Sequence, residues 1–82
     1  MTGQLAAALE GRHPATREIA QFFSFDHLPI GAPRIASEAC HDLALSMILS
    51  TPDSPELTAG LRKLLEAKDC FVRCQIARTD LG

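Results

Sequence analysis

Apolar and polar positions along the chain fall into four blocks, each bounded by glycine, proline or a cluster of turn-forming residues. The first block, Thr2 to Glu10, is rich in Ala and Leu and stops at Gly11, a residue suited to the left-handed conformation that ends helices. A short helix is predicted there. Thr16 reads as the N-cap of a second short helix reaching about Phe23, with Glu18 in its first turn, where the helix dipole favours an acid. Asp26-His27-Leu28-Pro29 then halts it, because the residue before a proline is pushed out of the α region.

Two longer blocks follow. Pro33 fits the first turn of a third helix, and no breaker intervenes before about Ser50. Ala36, Cys40, Leu43, Ala44 and Met47 recur at three- and four-residue spacing as its apolar stripe, while Ile35, Leu45 and Leu49 fall on another side. Thr51-Pro52-Asp53-Ser54-Pro55 reads as a compact turn, with Ser54 capping a last helix that runs from Pro55 to about Ala77. Leu57, Leu61, Leu64, Leu65, Phe71, Val72 and Ile76 line one side of that helix, and Arg62, Glu66, Asp69 and Arg73 lie opposite. So short a turn between two long amphipathic helices predicts an all-α fold, an antiparallel helical hairpin with short N-terminal helical segments. Apolar residues on two sides of the middle helix exceed what one short N-terminal helix can cover, and a homo-oligomer is expected.

Composition narrows the class. The chain has 82 residues, 46% hydrophobic and 22% charged, which fits one globular domain with a modest core. Its formal net charge of −2 gives no global basic field, so duplex nucleic acid is not an expected partner. The apolar run Leu5 to Leu9 lacks the basic flank of an export signal, and Leu43 to Leu49 is far too short to cross a bilayer. Three cysteines, Cys40, Cys70 and Cys74, do not make a disulfide framework, and the expected compartment is the reducing cytoplasm.

Lys68 stands out because the helical wheel sets it inside the apolar stripe, between Leu64, Leu65, Phe71 and Val72. A buried ammonium without partners costs several kcal/mol (~2 or more), so it must meet an acid, snorkel to water, or line an anion pocket. Gln75, on the same stripe, needs a partner as well. Five of the eight Lys and Arg residues lie between Arg62 and Arg78, against Glu66 and Asp69 in the same interval. That strip reads either as a solvated helix face or as a set of phosphate ligands. Phe22, Phe23 and Phe25 crowd before His27, either plugging the end of the hairpin or offering a ring to stack on a nucleobase. Cys40, His41, Cys70 and Cys74 lack the paired spacing of a zinc site, so no metal or cofactor is expected. No nucleophile, paired-carboxylate or phosphate-loop motif appears, and an enzyme is not expected.

Two segments, Phe22-Phe23-Ser24-Phe25-Asp26-His27-Leu28-Pro29 and Leu61-Arg62-Lys63-Leu64-Leu65-Glu66-Ala67-Lys68-Asp69-Cys70-Phe71-Val72-Arg73, resemble those of a family of very small phage and prophage proteins. That family is similar in turn to the helical-hairpin domain of the anti-CBASS and anti-Thoeris sponge proteins. The likeness covers residues 22–78, the hairpin core, and leaves 1–21 as a variable N-terminal segment. It implies a non-catalytic sponge in the host bacterial cytoplasm that sequesters cyclic dinucleotide, cyclic trinucleotide or cyclic ADP-ribose immune signals. It implies a homo-oligomer, a dimer-based hexamer among the options, with ligand held between protomers. Carried over by position, the residues matching the second motif are Arg62, Lys63, Lys68, Asp69 and Arg73, its Lys and Arg for phosphate, and those matching the first are His27, Leu28 and Pro29, with Phe22 or Phe25 for the base. The chain has no Tyr or Trp, so stacking would fall to phenylalanine. The alternative is a small helical DNA-binding or protein-interaction accessory protein, the former needing a recognition helix with exposed Arg and Lys.

Overall fold

The structure, a computed structural model, describes residues 3–81, with backbone alone for 77–81. Helix α1 (Gly3–Ala8) and helix α2 (Pro14–Ala20) are short, and a single 3-10 turn, Gln21–Phe23, extends α2. Helix α3 (Ala32–Ser50) and helix α4 (Pro55–Leu81) are the long pair. All regular structure among the described residues is helical. At 1.5 Å per residue α4 is roughly 40 Å long, and it sets the long dimension of a molecule measuring 44 × 23 × 18 Å.

Local chemistry explains the boundaries. Gly11 follows α1 at φ +73°, the left-handed conformation predicted for it. Helix α2 begins three residues earlier than the sequence suggests. His13, not Thr16, is its N-cap, accepting from the Ala15 N–H through Nδ1 at 3.0 Å. Thr16 is instead buried, and its hydroxyl donates to Asp53 Oδ1 at 3.1 Å. A threonine with a tertiary acceptor in reach gains more there than at a helix end. Ser54 caps α4 as expected, its Oγ accepting from the Leu57 N–H at 3.1 Å. Helix α4 continues to Leu81, beyond the predicted end near Ala77.

The core gathers Leu5 and Leu9 from the first segment and Ile19, Ala20 and Phe23 from the second. Cys40, Ala44 and Ile48 of α3 and Leu57 and Leu61 of α4 complete it. The most extensive contact in the chain is that between α3 and α4, joined by residues 51–54. The buried side of α3 is Ser37, Cys40, His41, Ala44 and Ile48, which rotates the stripe away from the expected one. Leu43 and Met47 are exposed. Two polar residues take their place because each finds a partner: Ser37 Oγ donates to the Ser24 carbonyl at 3.5 Å, and His41 Nδ1 lies 3.0 Å from Asp42 Oδ1. On α4 the expected stripe holds for Leu57, Leu61, Leu64 and Leu65, but Phe71 and Ile76 are exposed.

The N-terminal segment is tied down at the α3–α4 turn. Arg12 donates from Nε to Asp53 Oδ1 at 3.0 Å and from its two terminal nitrogens to the carbonyls of Ile48 (2.5 Å) and Thr51 (2.8 Å). Ile48 lies in the last turn of α3 and Thr51 is its C-cap, where a cation also complements the dipole. The His13 N–H donates to Asp53 Oδ2 at 2.8 Å. That backbone hydrogen bond, with those from Arg12 and Thr16, holds the Asp53 carboxyl below the ordinary carboxylate range.

Candidate anion-binding site

A cleft of about 270 Å³ lies between the loop after the 3-10 turn and the second half of α4, lined by His27, Leu28, Lys68, Asp69, Val72 and Arg73. The α4 contribution is two neighbouring i, i+4 pairs, Lys68 with Val72 and Asp69 with Arg73, which project over adjacent strips of one helix surface. Across from them the Leu28 N–H donates to the Phe25 carbonyl at 3.1 Å, closing a tight turn that carries His27. Phe23, wholly buried, anchors the start of that loop in the core.

Lys68 is 9% exposed. Among the described residues its ammonium meets no acid: Nζ donates to the Phe22 carbonyl at 2.6 Å, in the 3-10 turn. An ammonium carries three N–H groups, so this contact leaves donors for a ligand in the cleft. Lys68 also acts on Cys40, whose thiol is pushed up by burial and drawn part of the way back by the lysine's charge. A thiol so buried is poorly suited to nucleophilic work. Among the described residues no three metal-ligating side chains group together.

The cleft collects His27, Lys68 and Arg73 from the residues singled out by sequence. The others are elsewhere. Arg62 lines a separate space of about 600 Å³ with His13, Thr16, Asp53 and Thr58, beside the N-terminal end of α4. Lys63 is exposed and lines neither. Phe25 packs edge-on against the His41 ring with centroids 4.9 Å apart, and the Arg34 guanidinium covers it at 5.5 Å. That ring is thereby engaged by two neighbours within the chain. Phe22 keeps an exposed ring while lending its carbonyl to Lys68. Arg78 lies outside the residues whose side chains are described. Sequence reasoning passed over Val72 as a wall of the cleft, although its place one turn after Lys68 was the available signal.

Comparison of the chain with family models, curated proteins and solved structures finds no match.

Proposed function

We propose that the protein is a sponge, binding a cyclic oligonucleotide signal and holding it unchanged so that a bacterial immune effector is not activated. The observation that carries this reading is the convergence of His27, Lys68 and Arg73 in one cleft from sequence positions up to 46 residues apart. Two side-chain cations beside apolar Leu28 and Val72 suit a phosphate attached to a flat, partly apolar group. Burial of Lys68 strengthens its attraction to an anion relative to a lysine in water.

A cleft of about 270 Å³ falls below the roughly 300–1,000 Å³ of small-molecule sites. One protomer therefore supplies part of a site, and in this reading a second copy of the chain completes it. The α3–α4 pair is then an antiparallel hairpin that serves as the unit of a homo-oligomer. The protein works in the host bacterial cytoplasm, where such signals act, and performs no chemistry on its ligand. Exposed Ile30 and Ile35, side by side near the start of α3, favour a second reading as a protein-interaction accessory.

The test equilibrates the protein with cyclic di-GMP, cyclic di-AMP, cyclic GMP-AMP, a cyclic trinucleotide and a cyclic ADP-ribose, then denatures it by heat and quantifies what is released. Depletion of at least one nucleotide followed by its intact recovery is expected. Altered products would mean an enzyme, and no depletion of any nucleotide would leave the accessory reading in its place.

A further inference from the structure

The cleft holds one residue that a phosphate site does not require. Asp69 lies on its wall beside Lys68 and Arg73. Arg73 is the partner that i, i+4 spacing would give this acid, yet its guanidinium lies against Cys70 Sγ at 3.5 Å. Among the described residues the Asp69 carboxylate makes no hydrogen bond or ion pair. A lone carboxylate there repels phosphate, so a ligand that suits the whole cleft presents an anion to Lys68 and Arg73 and hydrogen-bond donors to Asp69.

Nucleobases differ in this respect. Guanine carries two adjacent donors, N1–H and the N2 amino group, on one edge, matched by the two oxygens of a carboxylate in a parallel pair of hydrogen bonds. Adenine and cytosine set a single amino donor beside a ring-nitrogen acceptor, and uracil sets one N–H between two carbonyl acceptors, so each turns at least one lone pair toward the carboxylate. Leu28 and Val72 supply the apolar surface that a ring face needs.

We infer that Asp69 is the base-selecting residue of this cleft, accepting the paired N–H donors of a guanine while Lys68 and Arg73 hold phosphate; this rests on the cyclic-nucleotide reading above. The selection is electrostatic and directional. Removing the charge therefore acts in opposite senses on different ligands.

The experiment is calorimetric titration of the full chain and of Asp69→Asn with cyclic di-GMP and cyclic di-AMP, at one salt concentration. The parent is expected to prefer cyclic di-GMP. In Asp69→Asn the affinity for cyclic di-GMP falls by about tenfold or more, the scale for losing hydrogen bonds to a charged group. Affinity for cyclic di-AMP is unchanged or rises, because a repulsive charge has gone. Asp69 is exposed, so the variant folds as the parent does, and Asp69→Ser gives the same loss. Arg73→Gln weakens both ligands alike. A parent without guanine preference, or an Asp69→Asn protein in which both affinities move together, overturns the role of Asp69 while leaving the nucleotide reading intact. A parent that binds neither ligand nor any other cyclic nucleotide overturns that reading, and the role of Asp69 with it.

Discussion

Lys68 joins the core to the candidate site, and its chemistry shows how a charge is accommodated between the two. Its alkyl stem occupies a stripe position on α4 while its ammonium caps the Phe22 carbonyl in the 3-10 turn. Lys68→Met keeps the stem and removes the donor, leaving that carbonyl short of a partner. The expected loss is about 1–3 kcal/mol in urea unfolding. A variant as stable as the parent would show that the contact contributes nothing net. If Lys68 holds phosphate as proposed, ligand affinity should fall as well. The unusual position of Lys68 was legible in the sequence from the wheel alone. Its partner was not, because every residue has a carbonyl and nothing in the side-chain pattern singles out the one at Phe22, 46 residues away. For the same reason Ser37 and His41 escaped a reading that counts apolar residues, although both are buried on α3.

The two long helices were legible as elements because their breakers and caps are local: Pro33, Ser54 and Pro55 mark boundaries with no help from the rest of the chain. The short helices were read less well. Where α2 begins depends on Asp53, which draws Thr16 and the His13 backbone toward the α3–α4 turn. That clasp gives the fold a defined acid sensitivity. The Asp53 carboxyl sits below its ordinary value when folded, chiefly through the His13 N–H. Its contribution is therefore whole above about pH 4, near the ordinary aspartate value, and is lost as the pH falls from there through the lowered folded-state value. Asp53→Asn should melt below the parent at neutral pH, and its melting temperature should change less between pH 5 and pH 2.5. Parallel melting curves for the two proteins across that range would show that the carboxylate has no such role.

At the scale of the molecule, α3 and α4 together leave one apolar side open. A groove of about 430 Å³ runs along it, lined by Leu43 and Met47 of α3 and by Leu57, Gly60, Leu61 and Leu64 of α4. Leu43 is 48% exposed and Met47 39%. Phe71, two helical turns beyond Leu64 on α4, is 55% exposed. If the protein assembles as proposed, this is the surface with the most to gain from cover. Leu43→Lys combined with Phe71→Lys should lower the mass measured by light scattering at micromolar concentration, with helicity by circular dichroism unchanged. Equal masses for parent and variant would exclude this side as the contact. Amphipathic periodicity pointed to an excess of apolar surface, but only the rotation of α3 in the fold decides that Leu43 and Met47, rather than Ser37 and His41, remain outside. The 3-10 turn adds a constraint of another kind. Phe23 fills the core while the carbonyl of the adjacent Phe22 grips Lys68 in the cleft wall, so one three-residue turn serves both. Over evolutionary time these two regions cannot drift independently: a lineage that resizes residue 23 must also readjust the wall of the cleft.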